Sequence, residues 1–242
     1  MLYYSIAHYY DVSSHRIKNR YKNVEKHINN FLSLDVSDKT FVLVSAIDSP
    51  RGHIRYTQIK KELEDFCKNL IPDNQFKVIV KFNWGGTIAA LWESYNVLKS
   101  INVEGYVAHF EEDFGPQNTL WYNKSLELLT SDKIYIGESS IGRIKTRNDD
   151  NRMGWNMYAG QPRLGNPEVW TDGGFYFTTI DNLKQIESKI GIFHKGNTNN
   201  KYNNILDGIS LGEVGFPTLL FHAGFKFDVL NRTTYFINEW ND

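Results

Sequence analysis

Three consecutive acids, Glu111-Glu112-Asp113, close an apolar run that begins at Tyr106 and stand just before Phe114-Gly115-Pro116. In an extended chain alternate side chains share a face, so Glu111 and Asp113 are expected to point together and Glu112 away. Adjacent carboxylates repel, and local propensity gives no reason to place three at a strand end. A divalent cation shared with a phosphate-bearing ligand relieves that repulsion. Hard cations take oxygen ligands, and Mg²⁺ or Mn²⁺ often sits on few carboxylates plus phosphate oxygens. The competing reading is a solvated acidic turn, and what lies upstream decides between the two.

Upstream, residues 2–10 read as a strand that leaves through Asp11-Val12-Ser13-Ser14. Ile17, Tyr21, Val24, Ile28 and Phe31 recur at helical spacing, giving an amphipathic helix to about residue 34. Residues 40–47 form a nearly continuous β-branched and aromatic run, as in a strand buried on both faces, and end at Asp48-Ser49-Pro50-Arg51-Gly52. Ile59, Leu63, Phe66 and Leu70 mark a second helix closed by Pro72, and 76–82 reads as a third strand. After Asn83-Trp84-Gly85-Gly86, Thr87 is placed to cap a helix carrying Ile88, Leu91, Trp92, Tyr95 and Leu98. The strand ending in the acids follows.

This alternation predicts an α/β fold, a mixed, mostly parallel sheet flanked by helices, in which ligands bind beyond the carboxyl ends of the strands. The residues without an evident core role cluster at those ends: His8 to Asp11, Asp48 to Arg51, Asn83 to Gly86, and Glu111 to Asp113. The 242 residues suit one domain, 1–242, with a ligand-binding half at 1–116 and a second half at 117–242; no internal repeat or linker interrupts it.

Composition narrows the class. Hydrophobic residues at 41% and charged residues at 23% describe an ordinary globular chain, and a net charge of -1 speaks against a general nucleic-acid binder. Cys67 is the single cysteine, so no intrachain disulfide forms. The start lacks signal-peptide character, and no run approaches the ~20 apolar residues a membrane span needs. A cytoplasmic, soluble protein is expected, with membrane association at most peripheral.

The second half reads as a helix over 118–129, a strand over 134–137 and a long irregular stretch over 139–170 holding Arg143, Lys145, Arg147, Arg152, Trp155, Tyr158 and Arg163. Its interspersed aromatics suggest a lid or acceptor-binding loop. A turn and strand follow over 170–178, then a helix capped by Asp181, an Asn-rich loop over 196–204, an apolar helix ending at Ala223-Gly224, a strand over 225–230 and a tail.

The layout resembles the nucleotide-sugar-dependent glycosyltransferases of the GT-A fold, especially the family-2-like group. In that family a strand-end D-x-D-type motif binds the metal and the donor diphosphate; Glu111-Glu112-Asp113 stands at the matching place, with Glu where the first Asp is usual. The resemblance implies metal binding by Asp113 and Glu111, and donor contacts by Glu111 and Glu112. Asn83-Trp84-Gly85-Gly86 looks like the family's Asn-x-Gly turn, implying donor contacts by Asn83 and Gly86. Asp48 fits the acid that contacts the nucleoside, and Ala7, His8 and Tyr9 fit the strand end that packs on base and ribose. Many members carry a catalytic base eleven positions before an Ala-Gly that ends a helix, which here reaches Glu213, preceded by Gly212 and followed by Pro217. Asp172 and Asp207 are rival bases. His222 matches the late histidine that serves as a third metal ligand in some members, and it equally suits a core histidine. His109 and Trp92 read as core.

The resemblance implies transfer of a sugar, from UDP by family habit, to a hydroxyl of a glycan or other acceptor, dependent on Mn²⁺ or Mg²⁺ and inverting. Two other classes stay open: a sugar-phosphate nucleotidyltransferase, though His8-Tyr9-Tyr10-Asp11 offers no Gly-rich loop after the first strand, and a non-catalytic nucleotide- or carbohydrate-binding protein on the same scaffold.

Overall fold

The computed structural model describes residues 1–10, 21–47, 53–82, 86–139, 171–191, 220 and 223–238. Its amino-terminal elements run β1 (Leu2–Tyr10), α1 (Lys22–Ser33), β2 (Lys39–Ile47), α2 (His53–Lys68), β3 (Phe76–Phe82), α3 (Gly86–Ser100) and β4 (Tyr106–Glu111). β5 (Phe114–Pro116), α4 (Leu120–Leu128), β6 (Lys133–Ser139), β7 (Thr171–Thr179), α5 (Ile180–Ile190), β8 (Lys226–Asn231), the helical turn α6 (Arg232–Tyr235) and β9 (Phe236–Asn238) complete the described chain.

Seven strands form one sheet in the order β3-β2-β1-β4-β7-β6-β8, and β5 pairs with β9 in a second, two-stranded sheet. β1 to β4 are parallel neighbours, whereas β7 runs antiparallel to both β4 and β6, and β8 returns parallel to β6. The mixed, mostly parallel α/β sheet expected from the element order is therefore present.

Alternation within each buried strand splits the core into two clusters. Leu2, Tyr4 and Ile6 face α1 and α2 with Phe110 and Trp121, while Tyr3, Val42, Val44 and Val107 face α3 and α5. On the first face Tyr4 stacks on Phe110 at 4.7 Å and Trp121 meets Phe110 edge-on at 5.3 Å. Burying each such ring contributes roughly 1.5–3 kcal/mol, so the strand that carries the acids is held firmly from below. On the second face His109 Nδ1 lies 2.9 Å from Ser5 Oγ, itself 2.6 Å from Ser94 Oγ, so a short polar chain satisfies this buried histidine. His109 and Trp92 are fully buried, as expected for core residues.

Local readings are corrected at four places. α3 begins at Gly86, which puts Thr87 inside the helix rather than at its cap. α5 is capped by Thr179, whose hydroxyl accepts from the Asn182 N–H at 3.0 Å; Asp181 stands in its first turn. The expected tail instead supplies α6 and β9, because β9 finds β5 as a non-local partner. β4 ends at Glu111, and Glu112 and Asp113 form the turn into β5, so strict alternation no longer governs them. The stretches 140–170 and 192–219 lie outside the described residues, as do the readings made on them.

Candidate functional site

A cavity of about 210 Å³ opens at the carboxyl ends of β1, β2, β3 and β4. β1 contributes Ala7, His8 and Tyr9; the end of β4 and its turn contribute Glu111, Glu112 and Asp113. Val44, Ala46 and Ala90 of α3 supply small apolar walls, and Lys81 of β3 closes one flank. Two groups of residues singled out in the sequence thus meet across a gap of some hundred positions. The topology explains this: the order β3-β2-β1-β4 makes β1 the direct neighbour of β4, with Ala7 in register with Glu111.

The three acids differ in environment. Glu111 and Glu112 are half-buried and Asp113 is exposed. Glu112 does not turn away as alternation implied. Its Oε2 accepts from the Tyr9 backbone N–H at 3.3 Å and sits 3.6 Å from His8 Nε2. The His8 ring is buried, and its Nδ1 lies 2.9 Å from Ser45 Oγ, which sets the ring's orientation.

From the opposite face of the sheet His27 holds the backbone of the acidic stretch. Its Nε2 lies 3.1 Å from the Glu111 carbonyl and its Nδ1 lies 2.8 Å from the Tyr4 hydroxyl. Desolvation pushes the His27 pKa down to about 3, against the opposing effect of hydrogen bonds to the Glu111 and Glu112 backbone. A neutral ring fits one tautomer: Nε2–H donates to the Glu111 carbonyl and Nδ1 accepts from Tyr4.

A second support lies behind the turn. Glu138 is fully buried at the end of β6; its Oε1 accepts from the Gly174 N–H at 3.2 Å and its Oε2 lies 3.5 Å from an Arg232 guanidinium nitrogen. The Arg232 guanidinium stands 4.9 Å over the Phe114 ring, the first residue after the acids. A Cβ on Gly174 would fall 2.5 Å from that ring, so glycine is what lets β7 pass so close to Phe114.

Lys81, His27, Glu138 and Arg232 were not singled out from the sequence. For Lys81 a signal existed: a lysine one step from the carboxyl end of the third strand, the edge where ligands were expected. Nothing local marks the other three, whose roles depend on partners more than 20 positions away.

Of the remaining nominated residues, Gly86 is the first residue of α3, at the same edge of the sheet. Asp172 lies in β7 in register with Glu138. Asp48, Asn83, Asp207, Glu213 and His222 lie outside the described residues.

Among the described residues no group of three or more His, Cys, Asp or Glu side chains is arranged to hold a metal ion. The acidic side of the cavity nevertheless fits a hard cation. Glu111 and Asp113 offer only oxygen donors, and one or two carboxylates suffice where phosphate oxygens complete the shell. Glu112 is already engaged by Tyr9 and His8.

The fold is GT-A-like, a mixed, mostly parallel sheet flanked by helices. The structure is similar to the galactosyltransferase LgtC in complex with donor and acceptor sugar analogues, with a TM-score of 0.52 and 10% identity over 93% of this chain and 72% of that one. It also resembles a nucleoside-diphosphate-sugar pyrophosphorylase from Vibrio cholerae RC9, at a TM-score of 0.49 and 12% identity, covering 98% of this chain and 95% of that one. The glycosyltransferase GlyE of Streptococcus pneumoniae TIGR4 follows at 0.48 and 9%, with 95% of this chain matched to 46% of that one. The sequence itself matches no protein-family model and no curated protein. Among the described residues no helix is long and apolar enough to cross a membrane.

Proposed function

We propose that this chain is a metal-dependent glycosyltransferase that moves a sugar from a nucleotide-diphosphate donor, a UDP-sugar first, to a hydroxyl of a glycan or other acceptor. One observation carries the reading: the cavity at the carboxyl ends of the parallel strands joins the Glu111–Asp113 turn to the end of β1. In an open α/β sheet that edge is where ligands bind.

In this reading Glu111 and Asp113 hold Mn²⁺ or Mg²⁺ together with the donor's phosphate oxygens, with His222 as a third ligand. The bound cation would supply neutralisation of charge on the departing diphosphate. Ala7, His8 and Tyr9 flank the nucleoside, and Asp48, Asn83 and Gly86 are further donor contacts in this reading. Glu112, tied to β1 through Tyr9 and His8, fixes the spacing between nucleoside and diphosphate ends. Glu213 takes the acceptor hydroxyl's proton as its oxygen attacks the anomeric carbon, with Asp172 the second candidate. In-line attack with one base inverts the anomeric centre.

Calorimetry with UDP, with and without Mn²⁺, on native protein and Asp113→Asn tests the donor site. Metal-dependent binding that Asp113→Asn loses is expected. Absence of binding by UDP, GDP, dTDP and CMP under either condition overturns the reading. Sugar transfer lost in Glu213→Gln with donor binding retained supports the base. Pyrophosphate release from a nucleoside triphosphate and a sugar phosphate would instead assign a nucleotidyltransferase.

A further inference from the structure

Two separate elements hold the acidic turn. β1 holds it through the Tyr9 N–H and His8, both directed at the Glu112 carboxylate, and α1 holds it through His27 at the Glu111 carbonyl. Where Glu111 and Asp113 stand therefore depends on the spacing between β1 and α1. Glu62, an exposed residue of α2, bridges those two elements.

Its carboxylate accepts from two phenols. Oε2 takes the Tyr10 hydroxyl at 2.8 Å, and Oε1 takes the Tyr21 hydroxyl. Tyr10 is the buried last residue of β1, directly after Tyr9. Tyr21 stands at the amino-terminal cap position of α1 and makes no side-chain capping bond there. Its ring stacks on Phe66 at 4.5 Å. Phe66 lies one helical turn beyond Glu62, so α2 offers a ring and a carboxylate to the same tyrosine. His27 follows Tyr21 by six residues, about 9 Å along the helix, so a shift at the start of α1 is carried to it. The Tyr10 and Tyr21 rings also flank His8, each at 6.3 Å. Two routes thus run from one carboxylate to the turn. The first passes through Tyr10 and the end of β1 to Glu112, the second through Tyr21 and His27 to Glu111.

We infer that Glu62 is a positioning residue: by tying the end of β1 to the start of α1, it sets where Glu111 and Asp113 are presented to a cation and its phosphate ligand. This rests on the donor-site reading above and extends that site's support to the α2 side of the sheet, opposite α3. The action is geometric. An amide in place of the carboxylate accepts one hydroxyl at its oxygen and donates to the other from its nitrogen, so the bridge survives loss of the charge.

The test is calorimetry in the presence of Mn²⁺ with UDP, or with whichever of GDP, dTDP and CMP the native protein binds in its place, and urea denaturation of each variant alongside. Glu62→Ala is expected to weaken nucleotide binding about fivefold or more, somewhat less than the loss of a group that touches a metal ligand directly. Glu62→Gln should stay within about twofold of native, because its amide keeps both contacts. Tyr10→Phe and Tyr21→Phe each cut one route and should each weaken binding, with no further loss when added to Glu62→Ala. Glu187→Ala removes a similar bond, from the Tyr95 hydroxyl at 2.6 Å between α3 and α5, and should leave binding unchanged. Native affinity in Glu62→Ala overturns the inference. So does an equal loss in Glu62→Gln, which assigns the effect to charge, or an equal loss in Glu187→Ala, which assigns it to destabilisation anywhere. Additive losses for Glu62 and the tyrosines overturn it as well. In each of those cases nucleotide binding by the native protein leaves the donor site standing; if the native protein binds none of the four nucleotides, both fall.

Discussion

The two sides of the acidic turn are built on different principles. Its front, facing the cavity, carries Glu111, Glu112 and Asp113, which are half-buried or exposed. Its back is closed by Phe110, Phe114, Trp121, His27 and the Glu138–Arg232 pair, where burial is nearly complete and each polar group is aimed at a specific partner. Repelling carboxylates cannot organise themselves, so the rear scaffold determines where the front's backbone lies. Substitutions behind the turn should therefore act on stability, and substitutions in front on binding.

The largest break is expected behind. Trp121→Ala removes a fully buried ring packed edge-on against Phe110 and Phe175. Urea denaturation should show a loss of about 3–5 kcal/mol, the usual cost of deleting a large core aromatic. A loss under 1 kcal/mol would mean the turn does not depend on this packing.

Next comes the buried ion pair. Arg232→Met deprives the fully buried Glu138 carboxylate of its guanidinium, at an expected cost of about 3 kcal/mol. Adding Glu138→Gln should recover much of that loss in a double-mutant cycle; strict additivity would show the two residues are not coupled.

His27 sharpens the comparison through pH. Its folded pKa of about 3 lies below the ordinary value of 6.5, because burial penalises the charged ring. Between those values the unfolded chain binds a proton that the folded chain refuses. The stability His27 confers is thus complete above about pH 6.5 and is lost as pH falls toward 3. Between pH 7 and 4.5 that loss amounts to about 2–3 kcal/mol. Urea midpoints at the two pH values should differ less in His27→Gln than in native protein, and equal differences would remove His27 from the account.

The smallest effect on stability belongs to the front. Asp113 is exposed, so Asp113→Asn should shift unfolding by no more than about 0.5 kcal/mol, while abolishing metal-dependent nucleotide binding. Substantial destabilisation would show that this carboxylate is structural.

Much of this was legible beforehand. β1 and β3 fall where hydrophobic runs placed them, and the acids follow the fourth strand at the sheet edge where they were expected. Errors gathered at boundaries and at contacts made at long range. The end of β4 could not be read because a run of acids has no pattern that distinguishes strand from turn. β9 looked like a tail because Phe236 packs on Phe114 and Phe175, at 5.1 and 4.8 Å, residues far from it in the chain.

Sequence alone determined the order of elements and the placement of chemistry-bearing residues at strand ends, since periodicity reports which local face is buried. Only the tertiary structure decided that β1 sits beside β4, that β7 runs antiparallel between β4 and β6, and that Lys81 lines one cavity with Glu111. The pairing of strands is a non-local choice, set by how whole faces fill one another, and no single stretch of the chain carries it.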